Sequence, residues 1–138
     1  MRTLFVGLIF LSACQPAKAP EVDAPDTKAS GIVGGVDLGS PARALGTEPF
    51  WSVAITPQEL VYSGVDRPEA RFANPGPRID GDTAVIAAEG LAVTLKAATC
   101  SDGMSDRTYP LEAEVTAGAE VLKGCAESQA VLDAGPRP

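Results

Sequence analysis

The feature that most restricts this chain is the alternation of apolar and polar residues in its second half. In residues 91–99, Leu91, Val93, Leu95 and Ala97 fall on one side of an extended backbone, and Ala92, Thr94, Lys96 and Ala98 on the other. Residues 109–116 repeat the pattern, with Leu111, Ala113 and Val115 on one side and Glu112 and Glu114 on the other. A period of two sends one face into a core and the other into water. That is the pattern of antiparallel strands, not of helices.

The same reading extends outwards. Phe50 to Ile55 places Trp51, Val53 and Ile55 opposite Phe50, Ser52 and Ala54, and residues 59–63 place Leu60 and Tyr62 together. Thr83 to Ala88 forms a strand, closed by a tight turn at Glu89-Gly90, and residues 120–124 form the last strand after Ala117-Gly118-Ala119. Residues 64–78 are rich in Pro and Gly around Arg67, Arg71 and Arg78, and read as loop with a brief strand at 70–73. No stretch has the length and period of a secure helix. The expectation is an all-β domain, a small antiparallel up-and-down or half-open barrel of about seven strands, because closure hides sheet edges.

The N-terminus has a different character. Arg2 precedes an apolar run over residues 4–11 that ends in Leu11-Ser12-Ala13-Cys14. A spanning helix needs about 20 residues, so the run has the length of an export signal. Leu-Ser-Ala-Cys directly after such a run resembles the lipobox of bacterial lipoproteins. The resemblance implies a signal peptide at 1–13 and palmitate-type acylation of Cys14. Cleavage by the general signal peptidase, with Cys14 a bystander, is the other reading. Each buried methylene contributes about 0.8 kcal/mol and a single acyl chain holds only marginally. The two or three chains of such lipoproteins imply durable attachment. Gln15 stands where inner-membrane lipoproteins often carry Asp, which points to the outer membrane facing the periplasm.

Residues 14–44 read as the lipidated cysteine and a flexible tether rich in Pro, Ala and Gly. Ile32-Val33 and Val36 interrupt it and are read as linker, a short edge strand being the alternative. The folded domain is expected over 45–126 and a disordered tail over 127–138.

The chain carries three cysteines, an odd count for an exported protein. Lipidation of Cys14 leaves Cys100 and Cys125 as one pair. In an up-down-up meander they lie at the same end, separated by the middle strand at about 9–10 Å. A disulfide needs Cα atoms about 4.4–6.8 Å apart, so the loop 101–108 is expected to fold over that strand end. A net charge of −7 argues against nucleic acid and against adhesion to anionic lipid without acyl chains. It is compatible with a basic protein partner.

Gly46-Thr47-Glu48-Pro49-Phe50-Trp51, Cys100-Ser101-Asp102-Gly103-Met104-Ser105-Asp106-Arg107, Tyr109-Pro110 and Gly124-Cys125-Ala126 resemble the blocks of a family of small, uncharacterised bacterial envelope lipoproteins. The resemblance covers about residues 45–126 and implies location and domain extent but no activity. In format the chain is also similar to lipocalin-like lysozyme inhibitors, which are small, barrelled, disulfide-bonded and often lipid-anchored. Their inhibitory motif has no counterpart here.

Around the cysteines, Ser101, Asp102, Ser105 and Asp106 read first as turn chemistry, with Gly103 supplying a positive φ. A ligand-facing loop, with Met104 as an apolar contact, is the second reading. Arg107 is expected to pair with a loop carboxylate or to grip an anion. Trp51 and Tyr109 are expected as core or ligand-facing aromatics. With no His, the usual general base and the usual zinc nitrogen are missing, so no enzyme, cofactor or metal is expected. Two functions remain: a lipid-anchored binding module for an envelope protein, cell-wall component or lysozyme-type glycosidase, or a structural accessory of envelope assembly.

Overall fold

A computed structural model describes residues 31–65 and 67–135. The leader, Cys14 and the tether up to residue 30 lie outside the described residues. Among the described residues there are eleven strands: β1 (Ile32–Val33), β2 (Val36–Asp37), β3 (Ala42–Thr47), β4 (Phe50–Ile55), β5 (Glu59–Gly64), β6 (Arg67–Ala73), β7 (Arg78–Asp80), β8 (Thr83–Ala88), β9 (Leu91–Ser101), β10 (Thr108–Ala117) and β11 (Glu120–Ser128). A six-residue helix, α1 (Gln129–Ala134), follows.

Nine strands form one antiparallel sheet in the order β6-β5-β4-β3-β11-β10-β9-β8-β7. Two meanders, β3 to β6 and β7 to β11, are joined by the pairing of β11 with β3, in which Cys125 faces Leu45 and Ala126 faces Ala44. β6 and β7, consecutive in the chain, become the two edges of the sheet. The sheet curls into a half-barrel. Arg67 at the start of β6 pairs with Glu120 at the start of β11 at 2.6 Å, although three strands lie between them. Phe72 of β6 likewise packs against Gly90 in the turn between β8 and β9.

The period-two reading holds where it was clearest. Trp51, Val53, Ile55, Leu60, Ile86, Leu91, Val93, Leu95, Leu111 and Val115 belong to one buried cluster. Fully burying such side chains contributes about 1.5–3 kcal/mol each.

Several expectations are revised. The sheet has nine strands, not about seven. The loop expected over 64–78, with a brief strand at 70–73, contains the whole of β6 and the start of β7. Ile32-Val33 and Val36 are not linker: β1 and β2 pair as a hairpin, and Val33 and Val36 enter the core. The first strand of the main sheet starts at Ala42, inside the expected tether. Residues 127–135 of the expected tail are ordered, since β11 runs to Ser128, whose side chain caps α1 by accepting from the Val131 N–H.

Candidate functional site

The disulfide joins Cys100 and Cys125 with a Cα–Cα distance of 5.6 Å. A bulge makes this reach feasible. Tyr109 pairs with Cys100 while Leu111 pairs with Ala97, so β9 takes three steps where β10 takes two. The extra residue bends the end of β9, and the bend rather than the loop alone carries Cys100 towards β11. Cys125 and Tyr109 are buried yet stand outside the main core cluster.

The loop 101–108 is built around one carboxylate. Asp102 Oδ1 accepts from the backbone N–H groups of Met104 at 2.9 Å and Ser105 at 2.8 Å. Its Oδ2 accepts from the Ser105 hydroxyl at 2.7 Å and the Tyr109 hydroxyl at 3.0 Å. Gly103 has φ +74 and donates to Ser101 Oγ at 3.2 Å, and Ser105 Oγ accepts from the Arg107 N–H at 3.3 Å. The donors at Ser105, then Met104 and Tyr109, hold the Asp102 carboxyl well below the usual carboxylate range. Burial, then the bond to Asp102, pushes the Tyr109 phenol above its ordinary value. Turn chemistry therefore accounts for Asp102 and for the Ser105 hydroxyl.

The loop is also tied to the β3–β4 hairpin. Thr47 Oγ1 donates to the Asp102 carbonyl oxygen at 3.0 Å. The indole of Trp51 lies over Gly46 and Gly124, two positions where a side chain would collide with it. Gly124 also packs its Cα hydrogens against the Leu45 carbonyl, so both glycines are required by close approach.

Between loop, hairpin and helix lies an open groove of about 950 Å³. Arg43, Leu45 and Thr47 of β3 line it with Phe50 and Trp51 of β4. The loop contributes Asp102, Met104, Ser105, Asp106 and Arg107, with Tyr109 behind it, and α1 contributes Gln129, Leu132 and Asp133. Phe50 and Met104, both lining this depression, are 54% and 65% exposed, so the groove presents two large apolar side chains to solvent. The Arg107 guanidinium lies against Gly135 at the C-terminal end of α1, where the helix dipole favours a cation. Arg43 is half-buried, and its Nε is buried without a hydrogen-bond partner. A donor left in that state costs on the order of 1–3 kcal/mol.

The four sequence blocks therefore converge. Gly46, Thr47, Phe50 and Trp51 meet Asp102 to Arg107 and Tyr109, with Gly124 beneath the indole and Cys125 holding the loop. Of the expected loop residues, Ser101 alone lines a different and smaller depression, with Lys96 and Glu112. Arg43, Leu45, Gln129, Leu132 and Asp133 are additions to the site, because the sequence reading placed them in tether, domain boundary and tail. Phe50 lies opposite Trp51, as the alternation along the strand gives, and that face is the exposed one.

Comparison with protein-family models, with curated proteins and with solved structures finds no match. Among the described residues no cluster of His, Cys, Asp and Glu suits a metal ion, and no helix is long and apolar enough to cross a membrane.

Proposed function

We propose that this chain is a lipid-anchored envelope lipoprotein, tethered through Cys14, whose β-domain is a non-enzymatic binding module. Its ligand face is the groove between the β3–β4 hairpin, the disulfide-pinned loop and α1. The observation that carries the reading is the convergence of the four blocks on this one depression, with Phe50 and Met104 held outward in it. The inward side chains form a contiguous buried cluster, which favours a surface binder over a carrier with a hollow interior. The partner class is an envelope ligand: a cell-wall component, or a lysozyme-type glycosidase whose basic surface complements a net charge of −7.

Lysozyme inhibition and pull-down on cell-wall fragments test this, comparing the wild type with a Phe50→Ala, Met104→Ser double variant. Both residues are exposed, so the fold is expected to persist. Loss of binding in the variant is the expected result, and unchanged binding removes the groove from the account. The anchor has its own test. The wild type should enter the detergent phase with an acyl-bearing N-terminus by mass spectrometry, and Cys14→Ser should not. Equal partitioning of both would overturn it.

A second reading, a structural accessory of envelope assembly, is favoured by one observation. All four hydrogen bonds to the Asp102 carboxylate come from its own neighbourhood, so this part of the loop is spent on holding the fold. Groove variants that fold normally and leave envelope integrity and binding unaltered would select it.

A further inference from the structure

We propose that Arg43 is the anion anchor of this groove, and that the ligand is a small monocarboxylate whose acid group adjoins an apolar body, as at the end of a short peptide. The proposal rests on the groove being the ligand face.

The argument starts from what Arg43 does not do. On β3 it faces Glu127 of β11 and Ala54 of β4 in register. Glu127 turns its Oε1 to the Ser128 N–H at 2.9 Å, while Glu59, Glu69, Glu114 and Glu120 are paired with Arg71, Lys123 and Arg67. The Arg43 Nε is buried without a partner while its side chain lines the groove. The chain holds 18 acidic residues against 11 basic ones, so a carboxylate is not lacking for want of supply. A guanidinium whose Nε is left without a partner in an acidic protein, on a side chain that lines an open depression, is poised for an acceptor from outside.

The surroundings narrow that acceptor. Asp102 is saturated by its own loop, Asp133 Oδ1 accepts from Gln129 Nε2 at 2.8 Å, and Asp106 completes the acidic wall. Three aspartates against two arginines, with Arg107 drawn to the end of α1, disfavour a doubly charged phosphate and leave room for a single charge. The planar fork of arginine matches a carboxylate in two parallel hydrogen bonds. Leu45, Phe50, Trp51, Met104 and Leu132 then receive an apolar body next to that charge. A peptide chain end supplies both parts. Two sources have this chemistry, the stem peptides of the cell wall and the C-termini of proteins.

Trp51 is the only tryptophan and lines the groove, so its fluorescence reports occupancy in the full-length chain. The probes are acetyl-Lys-D-Ala-D-Ala, the same peptide as its C-terminal amide, its all-L counterpart, and inorganic phosphate. The acid should bind at least about tenfold more tightly than the amide, the scale of a charge-assisted pair. Arg43→Gln should bring the acid down to the amide's level, Arg43→Lys should restore part of the difference, and Phe50→Ala should weaken acid and amide alike. Preference for the D-peptide assigns the cell wall as source, and equal binding of both hands assigns protein chain ends. Equal binding of acid and amide to the wild type, or phosphate competing better than the acid, overturns the proposal whatever the variants do. If Phe50→Ala still weakens binding in that case, the groove remains the ligand face. If no probe binds and Phe50→Ala alters neither lysozyme nor cell-wall binding, both readings fall together.

Discussion

The Tyr109 hydroxyl donates to Asp102 Oδ2 at 3.0 Å, joining the first turn of the loop to the strand that the loop leads into. The loop is closed twice, covalently at Cys100–Cys125 and by hydrogen bonds at Asp102. The two closures act on different segments. The disulfide fixes where β9 ends, and the carboxylate fixes how residues 103–105 turn above it. The groove lined by Met104 and Arg107 inherits its shape from both.

Asp102→Ala removes four acceptor contacts and leaves the Tyr109 hydroxyl without its partner. The loss should be about 1–2 kcal/mol, kept modest because the carboxylate is partly solvated. The corresponding fall in Tm is roughly 5–10 °C. The pH dependence has a definite sign. The folded-state pKa of Asp102 is depressed, so its stabilisation is fully present above the unfolded value of about 3.9 and declines as pH falls below it. The stability gap between wild type and Asp102→Ala should be constant from neutral pH to about pH 5 and close progressively below about pH 4. A gap that widens in acid would contradict the assignment.

Tyr109→Phe tests the same bond from the other partner. It keeps the buried ring and removes one hydroxyl, for a loss of about 0.5–1.5 kcal/mol. Here the folded-state pKa is raised, so the contribution persists up to the ordinary phenol value near 10 and is lost as pH rises through the folded value. Alkaline difference spectroscopy should show a phenol titrating late in the wild type and missing from the variant. Early titration of that phenol would mean the ring is neither buried nor bonded as described.

Replacing Cys100 and Cys125 together by Ala opens a loop closed over a separation of 25 residues. Chain-entropy reasoning assigns such a closure about 3 kcal/mol. Alanine avoids placing an unpaired hydroxyl at Cys125, which is almost fully buried. The denaturant midpoint should fall accordingly, and reduction of the wild type should reproduce the shift. If instead the midpoint barely moves, the Asp102 network holds the loop unaided.

How much of this was legible depended on whether a strand carried its own periodicity. Leu91 to Leu95 and Leu111 to Val115 alternate strongly, because each strand has one face in the core. Arg78-Ile79-Asp80 is exposed throughout and is a strand only through pairing with β8, so nothing local announces it. β3 was hidden for another reason. Its buried face is Ala42, Ala44 and Gly46, residues too small to stand out in a segment that otherwise reads as tether. α1 buries none of its residues and so shows no apolar stripe. The site divides in the same way. Cysteine pairing and the loop's turn chemistry are local and could be read directly, whereas Arg43 enters the groove only because β3 pairs with the distant β11. No short-range pattern encodes that contact.

The packing of Gly124 against Trp51 and the Leu45 carbonyl gives the sharpest structural prediction. A Cβ on Gly124 would collide with the Leu45 carbonyl and lie 2.9 Å from Trp51 Cζ2. The carbonyl belongs to β3, whose pairing with β11 joins the two meanders, so relief requires shifting the strand or expelling the indole. Gly124→Ala should cost at least about 2 kcal/mol, at the upper side of overpacking penalties. Gly118→Ala is the control. It sits in the turn between β10 and β11, at φ +64, and its added methyl meets no atom within 4 Å. It should lose only about 1 kcal/mol from backbone strain. Trp51 emission separates the two, because Gly124→Ala should shift it towards that of a solvated indole and Gly118→Ala should leave it in place. Equal effects on emission would mean that Gly124 is not the floor on which the indole, and with it the groove, is built.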